Sequence, residues 1–100
     1  MDGQSFDSKR EASRWNELRL LAKAGRVSNL SRQYAVYLKG KDGPIMTDSG
    51  KQPRKYIADF HYYDHRLNAW VIEDTKGHPT EVFNLKKAIL AAQGIEVKLT

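Results

Sequence analysis

Four polar side chains fall where packing leaves least room for them. Asp59 interrupts YIADFHYY, an aromatic and apolar run over 56–63, although aspartate is disfavoured inside strands. About fifteen residues later, Asp74 and Lys76 stand two positions apart in AWVIEDTK, and so neighbour one another on one face of an extended chain. Glu11 lies in helical register with Trp15 and Leu18, at i+4 and i+7, near the middle of an apolar arc formed by Ala12, Trp15, Leu18, Leu21 and Ala22. A carboxylate in a buried stripe is costly unless it is paired or binds a metal. Carboxylate oxygens in a chain without cysteine suit Mg²⁺ or Mn²⁺ rather than Zn²⁺. Three of them, Glu11, Asp59 and Asp74, can hold one or two such ions. Plainer explanations compete: a first-turn glutamate favours the helix dipole, and Asp74 with Lys76 can form an ion pair at a strand end.

The elements that must position these residues follow from caps, breakers and periodicity. The stretch 8–24 is rich in helix formers, with Asp7 and Ser8 as N-cap candidates and Gly25 as its stop. Residues 1–6 are polar and expected to be loose. A strand follows within 27–38, centred on QYAVYL. The segment 39–55 holds three glycines and two prolines and reads as a long loop or irregular hairpin. Strands are expected over 56–63 and 69–76, separated by a turn. A second helix runs from 79 or 80 to 93, with Val82, Phe83, Leu85, Ile89, Leu90 and Ala92 as its apolar arc and Lys86 inside it. Gly94 closes that helix, and IEVKL makes a final short strand. On the second strand, period two places Asp59 with Ile57, His61 and Tyr63. On the third, Trp70, Ile72, Asp74 and Lys76 share a face, while Glu73 and Thr75 point the other way. The order α-β-β-β-α-β, without repeats or a linker, predicts one α/β domain over 1–100: a mixed central sheet flanked by helices.

Composition narrows the partners. The 100 residues carry 17 Lys and Arg against 12 Asp and Glu, for a net charge of +5. The pI is near 9.6, and such a balance favours a polyanion. Lys39, Lys41, Lys51, Arg54 and Lys55 concentrate in the 39–55 segment and are candidate contacts to backbone phosphates, which give affinity without sequence specificity. The absence of cysteine fits a reducing cytoplasm. No apolar h-region of a signal peptide and no run of about 20 apolar residues appears.

Asp59 followed by Asp74-x-Lys76 on the next strand, with Glu11 on the preceding helix, resembles the PD-(D/E)XK nuclease motif, and the element order resembles that superfamily's restriction-endonuclease-like core. SKREASRWNELRLL, YIADF and VIEDTKG are similar to a family of small phage-encoded proteins assigned to it, and resemble phage endonuclease I and archaeal Holliday junction resolvases. Ala58 stands where the motif has proline. Asp74 replaces the more usual glutamate with Glu73 adjacent, so either is a possible ligand; spacing and strand alternation favour Asp74. The resemblance implies a Mg²⁺- or Mn²⁺-dependent endodeoxyribonuclease that hydrolyses phosphodiester bonds. Glu11, Asp59 and Asp74 are then its metal ligands, and Lys76 positions or activates the attacking water and steadies the developing charge. Gln33, His78, Glu73 and Lys86 are weaker candidates to line the pocket. Nothing resembles a base-reading motif, which favours branched or junction DNA read by shape. A junction resolvase would be a homodimer, since two symmetric strands must be cut, and would act in the cytoplasm of a bacterial host of a phage or prophage. The alternatives are another repair or nicking nuclease of the superfamily, or a non-catalytic basic DNA-binding module.

Overall fold

Both helices begin on a hydroxyl and end on a glycine. In the computed structural model, which describes residues 8–75 and 79–100, helix α1 spans Lys9–Lys23 and helix α2 spans Glu81–Ala92. The Ser8 hydroxyl accepts from the Glu11 N–H, and the Thr80 hydroxyl from the Phe83 N–H, each at 3.1 Å, satisfying an otherwise orphaned amide. At the far ends, Gly25 (φ +78°) and Gly94 (φ +85°) take the left-handed conformation. The following amides turn back onto the helix, Arg26 N–H to Leu21 at 2.9 Å and Ile95 N–H to Leu90 at 2.9 Å. Each is a Schellman stop, which glycine permits because it lacks Cβ.

Between the helices lie β1 (Val27–Tyr37), β2 (Lys39–Gly40), β3 (Gly43–Pro44), β4 (Lys55–Asp64) and β5 (Ala69–Asp74); β6 (Val97–Leu99) follows α2. Four strands form a mixed sheet in the order β1-β4-β5-β6. β1 pairs antiparallel with β4, β4 antiparallel with β5, and β5 parallel with β6. The parallel step is bridged by α2, as the length of such a crossover requires. The chain is thus a mixed α/β structure, and the expected element order is observed. The 39–55 segment is an organised hairpin rather than open loop: β2 pairs with β3, Met46 bridges Pro53, and Leu38 and Arg54 close its base through an N–H···O bond of 3.0 Å.

Two apolar clusters lie against the sheet. Leu18 of α1 packs with Val27, Phe60, Tyr62 and Val71; Phe83 and Leu90 of α2 pack with Leu38, Tyr56, Ala58 and Val97, with Ile72 against them. Val71 and Ile72 are consecutive on β5, so the two helices cover opposite faces there. Along β4 the buried even-numbered residues change cluster between Ala58 and Phe60. The change falls at Asp59. Leu18 is fully buried, and truncating such a side chain to alanine costs about 2–5 kcal/mol.

Three expectations need correction. Val82 and Leu85 are 64% and 63% exposed, so the inward stripe of α2 is narrower than the arc read from sequence. β5 ends at Asp74 rather than 76, and β6 starts at Val97 rather than 95. Each strand is shortened where another partner takes its backbone: Asp59 takes the Thr75 N–H, and the stop of α2 takes that of Ile95. The expectations for residues 1–6, Lys76 and His78 fall outside the described residues.

Candidate active site

The β4–β5 ladder runs from Asp64↔Ala69 to Phe60↔Glu73. One step further, Asp59 and Asp74 would face each other as a backbone pair. Instead the strands part. The Asp59 N–H donates to Asp74 Oδ1 at 2.9 Å, while the Thr75 N–H and hydroxyl donate to Asp59 Oδ2 at 2.9 and 3.0 Å. Each carboxylate is held by backbone of the opposite strand, so both are fixed in orientation at the mouth of the fork. Asp74 and Thr75 are buried, and Asp59 is half-buried. Among the described residues, no hydrogen bond reaches the other oxygen of Asp59. Sequence reasoning missed Thr75, which it turned away from Asp74; that a strand end offers both an amide and a hydroxyl was its only signal.

Glu11 is 3% exposed, as its place in the apolar arc requires. Its Oε1 accepts from Gln33 Nε2 at 3.3 Å and from Arg32 Nη2 at 3.4 Å. The Arg32 guanidinium also lies 5.7 Å above the Trp15 ring, within cation–π range. Gln33 falls between the pairs Arg32↔Phe60 and Tyr34↔Ala58, so it stands across the sheet from Asp59. Its φ of +53° is uncommon for a residue with a Cβ. Gln33 therefore links Glu11 to the fork by one cross-strand step. Among the described residues, no three acidic or histidine side chains gather closely enough to hold a metal ion together. The acids brought together are thus a pair, Asp59 and Asp74, while Glu11 is engaged by Arg32 and Gln33.

Glu73 has a different environment. Fully buried, it receives a two-pronged grip from Arg14, Nε to Oε2 at 2.6 Å and Nη2 to Oε1 at 3.0 Å. The Tyr62 hydroxyl donates to Oε1 at 2.6 Å and the Thr100 hydroxyl to Oε2 at 3.1 Å. Burial alone would raise the Glu73 carboxyl, but the hydrogen bonds from Arg14 and Tyr62 and the Arg14 charge outweigh it and hold it below the usual carboxylate range. The bond to Glu73 raises Arg14 above its ordinary value, and burial, then the bond to Glu73, raises Tyr62. Glu73 is a satisfied structural anion. The long stem of Arg14 carries its guanidinium from α1 to Glu73 on β5.

The remaining candidates scatter. Lys86 is half-buried on α2, between the buried Phe83 and Leu90. Lys39, Lys41, Lys51, Arg54 and Lys55 are all exposed along the hairpin, and Arg54 pairs with Asp48 at 3.3 Å. A cleft of about 350 Å³ lies beside the fork, lined by Arg10, Ser13, Arg14, Glu17, Thr75 and Thr100.

These features define a basic, mixed α/β protein with two carboxylates locked where strands of a sheet diverge. The chain belongs to the DUF1064 family, proteins of unknown function, whose family model matches residues 1–100. No curated protein and no solved structure matches it. Among the described residues, no helix is long and apolar enough to cross a membrane.

Proposed function

We propose that the protein is a metal-dependent endodeoxyribonuclease of the PD-(D/E)XK type, selective for branched DNA. The observation that carries this reading is the contact between Asp59 and Asp74 at the strand fork. Two acids are brought together there with their orientation fixed, and a pair of hard oxygens suits a divalent cation and, through it, a phosphate. Asp59 and Asp74 would hold the Mg²⁺ or Mn²⁺, with Glu11 completing the set from α1. When bound, the ion would polarise the scissile phosphate and acidify a water.

The chain's own residues do the rest. Thr75 and the Asp59 amide keep the two carboxylates aimed. Gln33 would steady Glu11 through its side-chain amide. Lys76, immediately after Thr75 in sequence, is assigned to the attacking water and the developing phosphorane charge. The exposed lysines and Arg54 of the hairpin supply phosphate contacts, consistent with the charge of +5. The two helices covering opposite faces of β5 are compatible with a restriction-endonuclease-like core. In this reading the active unit is a homodimer, a phage or prophage protein acting in the cytoplasm of a bacterial host.

The test is a panel of four-way junction, linear duplex and single strand, each incubated with Mg²⁺ or with EDTA. The expected result is metal-dependent cutting, fastest on the junction. Binding without cutting of any substrate, with either Mg²⁺ or Mn²⁺, would replace the enzyme with a DNA-binding module. Faster cutting of linear duplex would favour a repair or nicking nuclease.

A further inference from the structure

The cluster of rings spread over three strands of the sheet has no part in the site above. Tyr34 of β1 stacks on His61 of β4 with centroids 3.8 Å apart and planes 8° apart. His61 in turn stacks on Trp70 of β5 at 4.9 Å and 2°. Tyr63 braces Trp70 edge-on at 5.4 Å. The three parallel rings thus form a continuous row across the sheet. Its two end members are not buried: Tyr34 is 36% exposed and Trp70 55%. A core would cover such rings, and an isolated surface aromatic would not be aligned to within a few degrees with two others.

A row of parallel rings ending in exposed ones can be extended by one more flat ring of the same kind. Nucleobases stack in this way, and they do so only when unpaired or splayed from a duplex. The surrounding charge agrees. Exposed Arg66 sits in the turn between Tyr63 and Trp70, and exposed Arg26 lies against the same turn through its carbonyl, which accepts from the His65 N–H at 3.0 Å. The nearby acid, Asp64, is occupied by the turn amides of Arg66 and Leu67. Rings flanked by exposed cations are what a single strand needs, with bases on the rings and phosphates on the rim. His61 follows Asp59 by two residues on β4, about 7 Å along an extended chain, so a strand on this platform passes close to the fork.

We propose that Tyr34, His61 and Trp70 form a stacking platform for unpaired bases of DNA, with Arg26 and Arg66 holding the adjoining phosphates. The choice of DNA rests on the nuclease reading; the stacking chemistry does not. A branch point offers such bases, so the platform would supply preference for branched over continuous duplex without reading sequence.

The experiment measures fluorescence anisotropy of labelled oligo-dT, about ten nucleotides long, against the full chain in EDTA, with a duplex of equal length for comparison. The wild type should prefer the single strand. Trp70→Leu and Tyr34→Leu should each weaken binding about five- to 150-fold, whereas Trp70→Phe, which keeps a ring, should retain most of it. Arg66→Ala should flatten the salt dependence by about one unit. Thermal unfolding of the leucine variants within a few degrees of wild type separates lost stacking from lost folding; if Trp70→Leu unfolds, Tyr34→Leu decides. Oligo-dT binding unchanged in both leucine variants overturns the platform, as does a wild-type dimer that Trp70→Leu converts to a monomer, since the rings would then be covered by a second copy. Metal-dependent cutting with leucine variants that bind normally leaves the nuclease standing without the platform. Ring-dependent binding with no cutting leaves the platform standing without the nuclease.

Discussion

Glu73 and Asp74 are neighbours on one strand, both fully buried, and yet the molecule treats them in opposite ways. Glu73 meets a guanidinium and two hydroxyls that together satisfy its charge. Asp74 meets the backbone of a strand that carries another carboxylate, Asp59. Burial by itself does not mark a functional acid; the identity of its partners does. An anion whose every neighbour is a donor or a cation is part of the scaffold. Asp59 and Asp74 instead take amides from one another's strands, and two acids brought to one place are the arrangement that the proposed metal would use.

Perturbing residues on each side of this contrast should have different consequences. The largest effect is expected from Lys76→Ala, which should lower the cleavage rate about 10²- to 10⁴-fold while thermal unfolding and DNA binding in EDTA stay nearly unchanged. A fall in the thermal midpoint large enough to account for the lost activity would make Lys76 a structural ion-pair partner. Next, Glu73→Gln should destabilise the fold by about 3 kcal/mol, because half-buried Arg14 loses its buried counter-charge and keeps the exposed Glu17 at 3.0 Å. The pH dependence has a definite sign. The folded-state carboxyl is held below its ordinary value, so its contribution is present above the unfolded carboxylate pKa and disappears as pH falls through the lower folded one. Wild type and Glu73→Gln should therefore differ most near neutrality and converge in acid, as followed by denaturant unfolding across pH. A constant difference would remove the charge from the account.

The smallest effect concerns the hairpin. Neutralising Lys51, Arg54 and Lys55 together should weaken DNA binding and reduce the salt slope by about 2–3 units, with stability within about 0.5 kcal/mol of wild type. An unchanged slope would take this hairpin out of the interface.

Much of the architecture was legible because local signals agreed. Ser8, Thr80, Gly25 and Gly94 bounded both helices by chemistry that depends on no distant residue. Asp59, as an acid inside an aromatic strand, and Glu11, as an acid inside an apolar arc, were visible as violations of pattern. What remained hidden depends on reach and twist. A helical wheel of α1 does not contain the reach of Arg14, whose side chain spans to Glu73. That reach bears on the open choice between Glu73 and Asp74, since Arg14, Tyr62 and Thr100 claim Glu73. The exposure of Val82 and Leu85 follows from how much of α2 the sheet can cover, which a helical wheel does not contain. The left-handed Gln33 and the change of cluster at Asp59 arise where β4 leaves β5, a tertiary event with no periodic signature. The ring row of Tyr34, His61 and Trp70 joins three strands and is likewise invisible along any one of them.

The most direct test compares Asp74→Asn with Glu73→Gln in one cleavage assay on a four-way junction with Mg²⁺, alongside thermal unfolding of both. Asparagine keeps the shape and an acceptor for the Asp59 amide while removing the charge. The account predicts that Asp74→Asn folds as stably as wild type and cuts about 10³-fold more slowly, and that Glu73→Gln is the less stable protein but keeps its cutting rate wherever it remains folded. Asp74→Asn cutting within tenfold of wild type, or Glu73→Gln losing activity while fully folded, would contradict the assignment of Asp74 to the chemistry and of Glu73 to the scaffold.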